Sequence, residues 1–484
     1  MGRMATDLHD LTAVEQAAAI RKGELSSTEL VEHYLDRIMA YGEKVGAFVT
    51  VTAQSAREQA ALADAAPPES RGALHGVPTA IKDLTLTAGV RTTFGSAAFA
   101  DYVPPVDADV VRALRAAGMI SVGKTTTSEL GTSLYSEGAV APPARNPWNL
   151  AYTAGGSSGG AAAAVAAGLV PAAQGSDGGG SLRIPAALCG LVGYKPSRGL
   201  VSGGPLGFGA FGLPTHGPLG RTVADVAALL DAMAGPVPGE PYFAPPVPDG
   251  GYLATALRAE PGRLRIGRFT APMLADGPVD PACLAAVEAA TSALTAAGHE
   301  VVEVDPPIRP EVWPLFETIW YVLALAPIPP EREELLLPLT RLMRQRGAAV
   351  SAAALSATLG DLQVLVRNGL RALDHCDLLL CPTLATPQAR VGWFTETGDP
   401  ADDFDRQRRF SPYCAIFNVT GQPSVSVPVA ATADGMPVGA LLTGRYGADG
   451  PLLAAAAELE RTLGGWDRHP EIWTAPPSAT VNIV

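Results

Sequence analysis

Residues Thr153 to Gly199, TAGGSSGGAAAAVAAGLVPAAQGSDGGGSLRIPAALCGLVGYKPSRG, decide how the rest of this chain is read. Two glycine-flanked serine sites, Gly155-Gly156-Ser157-Ser158-Gly159-Gly160 and Gly178-Gly179-Gly180-Ser181, bracket the small-residue run Ala161 to Gly168. Glycine on either side of a serine lets the backbone adopt φ > 0 or pass close to a ligand. Gly/Ser runs also serve as flexible linkers. A linker, however, does not lead straight into an apolar Ala/Val run and a second Gly-Gly-Gly-Ser closed by Leu-Arg-Ile-Pro. The stretch therefore predicts a buried, tightly packed helix between two serine-bearing loops.

Gly155-Gly156-Ser157-Ser158-Gly159 matches the G-x-S-x-G nucleophile elbow of α/β-hydrolases, and a shift of one residue lets Ser158 match as well. That esterase-like reading requires a strand immediately before the serine, whereas Asn146-Pro-Trp-Asn-Leu-Ala-Tyr-Thr-Ala is loop-like. It also requires an acid and a histidine, and none of His216, His299, His375 or His469 stands in a catalytic context. The alternative is a serine activated by lysine.

With Gly76-Val-Pro-Thr-Ala-Ile-Lys82-Asp83 upstream and Gly175-Ser-Asp-Gly-Gly-Gly-Ser181-Leu-Arg-Ile-Pro downstream, the chain resembles the amidase signature family. Further blocks are similar to that family: Gly123-Lys-Thr-Thr-Thr-Ser-Glu129, Arg145-Asn-Pro-Trp-Asn149, the His216 to Asp225 run and the Asn418 to Pro428 run. The resemblance spans nearly everything except 235–262 and 305–375. It implies a Ser–cis-Ser–Lys triad of Ser181 as nucleophile, Ser157 as proton relay after a cis Gly156–Ser157 bond, and Lys82 as base. It further implies an oxyanion hole from the backbone of Gly178, Gly179, Gly180 and Ser181, supported by Ser158 and by an Asp177–Arg183 brace. A lysine acts as a base only when neutral, so Lys82 must be desolvated; Ala80 and Ile81 beside it suit such a site. Lys195 is a rival base, although Lys-Pro in a turn reads as structural.

The family function implied is hydrolysis of C–N bonds in amides, anilides or carbamates through an acyl-enzyme, with no metal or organic cofactor. An amidotransferase subunit working with partner chains is the alternative, as is a scaffold that has lost catalysis. Three departures separate this chain from commoner members: Gly178 where a side chain is frequent, Leu84 where Asn is frequent, and Ala161 where Ser or Glu is common. The Leu84 departure argues against a close analogy with the transamidation subunit.

At 484 residues and 47% hydrophobic, the chain suits a large α/β core read as a single amidase domain. N-terminal helices over 1–65 clasp the catalytic core 74–235; a linker occupies 236–262 and a variable, substrate-facing segment 305–375. Two amphipathic helices are expected between Asp10 and Ala63, with Ser26-Ser-Thr-Glu29 as a capping signal. Strand-like runs at Gly76–Ile81, Ile120–Val122, Leu264–Phe269, His299–Val304, Asp377–Thr383, Pro423–Pro428 and Val438–Gly444 alternate with helical runs. The helical runs are Asp109–Ala117, 221–234, Pro281–Ala297 and Pro451–Leu463. This rhythm predicts one large mixed sheet covered by helices on both faces.

Lys+Arg 35 against Asp+Glu 48 gives a net charge of −13, which excludes a broad nucleic-acid footprint. No apolar run reaches a membrane span, since Ala161–Ala173 is short and broken by Gly168 and Pro171. The five cysteines show no C-x-x-C spacing, and the first residues lack a secretory core. Met1 to Thr6 fits the loose myristoylation pattern, read here as chance. The expectations are a cytoplasmic monomer or homodimer that acts on a small amide-type molecule, with no nucleic-acid or membrane partner.

Aromatics are scarce, at 6%, yet Trp313, Phe316, Trp320 and Tyr321 fall within one short run. At helical spacing such residues belong to a core or to a pocket wall. Leu130, Thr132, Tyr135 and Trp320 are candidate substrate contacts, and Gly178 adds room beside the oxyanion loop. A roomy apolar pocket that favours aromatic or long aliphatic substrates follows from these residues.

Overall fold

The computed structural model describes residues 7–205 and 209–475. Eleven strands form one mixed sheet: β1 (Phe48–Val51), β2 (Pro78–Lys82), β3 (Ile120–Thr125), β4 (Ala172–Asp177), β5 (Val192–Lys195), β6 (Thr215–Gly220), β7 (Arg265–Arg268), β8 (Glu300–Glu303), β9 (Leu378–Pro382), β10 (Ser424–Ala431) and β11 (Pro437–Gly444). Their order across the sheet is β1-β3-β2-β4-β6-β5-β10-β11-β9-β7-β8.

Both faces are covered, and the strands show why. In β9, Leu378 and Leu380 pack into one apolar cluster while Leu379 and Cys381 pack into the other; in β11, Leu441 and its neighbours Ala440 and Leu442 divide the same way. Side chains alternate across a strand, so a continuous apolar run needs helices on each side. One face receives Gly159–Ala166 and Arg183–Cys189; the other receives Val223–Met233, Pro281–Ala296 and Asp449–Thr462. Every residue of Gly159–Ala166 is buried. Its small side chains allow a close approach: a Cβ on Gly160 would stand 2.4 Å from the Thr126 nitrogen.

Two expectations need correction. The N-terminal region 1–65 contains three helices, Ala13–Lys22, Ser27–Tyr41 and Ala53–Ala65, and also the edge strand β1, paired antiparallel with β3. The Ser26 cap is present as a full capping box with Glu29. The linker 236–262 is only partly a linker, because Gly251–Arg258 is a helix that buries Tyr252 and Ala256. The Asp231 carboxylate accepts from the Tyr252 and Leu253 nitrogens, which starts that helix without a side-chain cap of its own. The Met1–Thr6 pattern lies outside the described residues. Among the described residues no single helix is long and apolar enough to cross a membrane.

Candidate active site

The sheet order brings the site together. β2 and β4 are parallel neighbours, with Ile81 opposite Gln174, so Lys82 and Ser176 emerge side by side at the carboxyl ends of their strands. In open α/β sheets this is where ligands bind. Beyond Asp177 the chain turns through Gly178–Ser181 and enters the helix Arg183–Cys189. From the other direction, the loop carrying Ser157 and Ser158 leads into Gly159–Ala166. The Ser158 nitrogen donates to the Ser181 carbonyl at 3.2 Å and so ties the two serine loops together. The Gly156–Ser157 bond is cis.

Lys82 is fully buried, and its Nζ has three neighbours: Ser157 Oγ at 2.7 Å, and the Ser176 carbonyl and Ser176 Oγ at 3.1 Å each. Burial lowers its pKa to about 7, against a smaller upward pull from Asp177. Gln174 anchors the backbone beneath, accepting from the Lys82 nitrogen at 3.0 Å. Its amide meets His216 Nδ1 at 3.0 Å. Burial and the adjacent Lys82 push His216 down to about 4, and its ring nitrogen meets this glutamine rather than a serine. No strand precedes Ser157, so the elbow geometry is not formed. Lys195 is buried and also lowered to about 7, first by burial and then by Arg183, but its Nζ donates to the Pro196 carbonyl and meets neither serine.

The loop 178–181 is held from below. The Asp177 carboxylate accepts from the Gly180 nitrogen at 2.7 Å, the Leu182 nitrogen at 3.1 Å, and both Arg183 Nε and Nη2 at 2.9 Å. Burial alone would raise Asp177, but Arg183 overrides it and holds the carboxyl well below the usual range. Asn418 completes the brace by donating to the Asp177 carbonyl at 2.8 Å and accepting from Arg183 at 2.6 Å. This corrects one oxyanion assignment: the Gly180 N–H is spent on Asp177. Among the described residues, the N–H groups of Gly178, Gly179 and Ser181 have no protein acceptor and remain available. Gly180 has φ +129°, and a Cβ there would come within 2.6 Å of Ile184 and 2.8 Å of Cys414, so only glycine fits.

Since both partners are completely buried, removing Asp177 strands a charged guanidinium in the core. Asp177→Ala is expected to cost about 3–5 kcal/mol of stability, read as a fall in the urea midpoint. A loss below about 1 kcal/mol, the range of an exposed ion pair, would contradict this account of the brace.

Above Ser181 lies a narrow cavity of about 60 Å³, walled by Trp313, Phe316, Trp320, Ile184 and Leu274. The expected roominess is absent because Trp320 leans on the loop 178–181: a Cβ on Gly179 would stand 3.1 Å from its ring. Trp320 stacks on Phe316 with centroids 5.4 Å apart and donates from Nε1 to the Thr132 carbonyl at 3.0 Å. Thr132 and Trp320 therefore line the cavity, as do Trp313 and Phe316. Tyr321 turns away to pack on Phe404 and Arg346. Leu130 and Tyr135 also fall outside the lining. Leu130 sits in a tight turn at φ +51°, its nitrogen bonded to the Phe94 carbonyl. Tyr135 stacks on Phe394 and donates to Asp403 at 2.6 Å. Sequence reading missed Ser176, Gln174 and the brace through Asn418, although all three fall in or beside the blocks quoted above.

The family model described as Amidase matches residues 29–453. The 6-aminohexanoate-cyclic-dimer hydrolase of Paenarthrobacter ureafaciens is 35% identical over 95% of this chain and 96% of its own length. A solved structure of 6-aminohexanoate cyclic dimer hydrolase complexed with substrate superposes with TM-score 0.89 at 32% identity, covering 97% of this chain and all of that one. A bacterial aryl acylamidase of the amidase signature enzymes follows with TM-score 0.84 at 26% identity, covering 97% of this chain and all of that one.

Proposed function

Given that this chain belongs to the amidase signature family and is an amidohydrolase of C–N bonds other than peptide bonds, we propose that its reaction runs through an acyl-enzyme on Ser181. The observation that carries this reading is the set of contacts at Lys82 Nζ. A neutral amine has two N–H groups and one lone pair. The Ser176 carbonyl can only accept, and Ser176 Oγ takes the second N–H, so the lone pair is left for the Ser157 hydroxyl at 2.7 Å. Ser157 thereby hands its proton to Lys82 while accepting the one that leaves Ser181 as Ser181 Oγ attacks the carbonyl carbon. The oxygen that gains the charge faces the N–H groups of Gly178, Gly179 and Ser181, each such donor worth about 3 kcal/mol in comparable sites. Collapse expels the amine, which takes the proton back through Ser157. Water then repeats the sequence in reverse to free the acid.

The slot above Ser181 is narrow, apolar and walled by the stacked rings of Phe316 and Trp320, which favours an unbranched acyl chain or an aryl ring over a branched or highly polar group. Amides and anilides of that shape are the proposed substrates, and the aryl acylamidase likeness supports this class. Burying one ring against Trp320 is worth roughly 2–3 kcal/mol, a preference of roughly 30- to 160-fold over acetamide. The test compares kcat/KM for an aryl anilide with that for a small primary amide, in the wild type and in Trp320→Ala. The expected result is a large wild-type ratio that collapses in the variant. A wild-type preference for the small amide, or an unchanged ratio in Trp320→Ala, would contradict the assignment of the slot.

A further inference from the structure

Among the described residues that line the cavity above Ser181, Arg408 is the one charged side chain. It projects from the helix Pro400–Phe410, whose preceding residue Gln407 is built into the wall: Gln407 accepts from the Leu134 nitrogen at 3.0 Å and donates to Asp403 at 2.8 Å. The Arg408 guanidinium lies over the Trp313 ring, 5.0 Å from its centroid, so a cavity-lining aromatic fixes its plane. Nε and Nη2 both donate to the same Asp405 oxygen, at 3.0 and 2.5 Å. Nη1 has no acceptor among the described residues. Asp405 does not neutralise this end of the cavity, because its other oxygen pairs with Arg409 at 2.8 Å. Two guanidiniums thus share one carboxylate, so Asp405 compensates the Arg408 charge only in part. Arg406, two residues back on the same helix, differs: it pairs with two carboxylates, Asp402 and Glu396, and donates to the Trp393 carbonyl.

We propose that Arg408 is a specificity-determining residue which receives a carboxylate at the far end of the substrate, so that the preferred amides are apolar in the middle and anionic at one terminus. The proposal rests on the reading of the slot above Ser181 as the substrate site. A planar guanidinium with a free N–H, held on an aromatic face, suits a carboxylate better than a lysine would. The contact is distant from the scissile bond and is made equally in the ground and transition states, so it lowers KM and leaves kcat unaffected.

The experiment uses two matched pairs, one with the charge on each side of the amide. The first is the mono-para-nitroanilide of adipic acid against its neutral hydroxymethyl counterpart. The second is N-hexanoyl-para-aminobenzoate against its hydroxymethyl counterpart. In the wild type the acid of at least one pair should show a KM about tenfold below its neutral partner, the size of a charge-assisted contact at a half-exposed site. Arg408→Gln should raise the KM of that acid to the neutral value with kcat and the neutral substrate's constants unchanged. Arg408→Lys should restore part of the gap, and Asp405→Asn should widen it. Acid and neutral partners of equal KM in the wild type, or equal losses for both in Arg408→Gln, would overturn the proposal. Turnover of the neutral substrates through Ser181 in every variant keeps the acyl-enzyme reading separate from this outcome.

Discussion

Replacing Ser181 with alanine is expected to lower kcat by a factor on the order of 10⁵–10⁶, because the members of a nucleophile-and-relay unit act together and losing the attacking oxygen loses nearly all of their effect. The fold should not notice. Among the described residues no protein hydrogen bond holds the Ser181 hydroxyl, and what ties its loop down is backbone: its carbonyl accepts from Ser158 and the flanking N–H groups go to Asp177. The urea midpoint and circular dichroism of Ser181→Ala should therefore match the wild type. A variant that keeps more than about a hundredth of wild-type kcat, well above what loss of a nucleophile leaves, would remove Ser181 from the chemistry.

Lys82 yields the second large effect, in both rate and pH dependence. Lys82→Met retains much of the volume and apolar stem but has no basic nitrogen, and kcat/KM at pH 8 should fall on the order of 10³–10⁴. In the wild type, kcat/KM should rise with pH as the lysine loses its proton near about 7 and then level off. That limb should vanish in Lys82→Met while remaining in His216→Asn, since His216 already titrates near 4 and is neutral across this window. Stability has a defined sign as well. Between about 7 and about 10.4, the ordinary lysine value, the unfolded chain holds a proton on this side chain that the folded chain does not, so stability attributable to Lys82 rises with pH through that window. Below it the buried site resists the charge. Lys82→Met is accordingly expected to be at least as stable as the wild type at pH 7, and a clear loss of stability there would contradict the desolvation account.

The candidate roles of Lys82, Ser157 and Ser181 rest on the resemblance to the amidase signature blocks, and part of their setting is also written locally. Glycines around Ser157 and Ser181 and apolar neighbours around Lys82 mark unusual backbone and burial without any knowledge of the fold. Asp177 and Arg183, six positions apart across one turn, could be paired for the same reason. What the sequence concealed depends on long-range geometry. That Gly180 spends its N–H on Asp177 follows from the path of the loop, not from the residue types. Leu130 and Tyr135 stand beside Thr132 in the chain, yet one is held in a left-handed turn and the other is drawn to Asp403, 268 positions away. Arg408 reaches the cavity from a helix more than two hundred residues past Ser181, with no local mark of its role. The fold erred where local composition misled: Gly250, Gly251 and the prolines before them hid the helix Gly251–Arg258, which depends on Asp231 for its start. β1 was absorbed into a helical reading because a four-residue edge strand carries too few residues to show a period.

The most direct test is the position of the covalent intermediate. The enzyme would be treated with an alkyl fluorophosphonate, digested and mapped by mass spectrometry, alongside Ser181→Ala and Ser157→Ala. The account predicts one adduct on Ser181 in the wild type, none in Ser181→Ala, and slowed labelling of the same residue in Ser157→Ala because the relay to Lys82 is broken. An adduct on Ser157 or Ser158 in the wild type, or labelling that persists in Ser181→Ala, would contradict it.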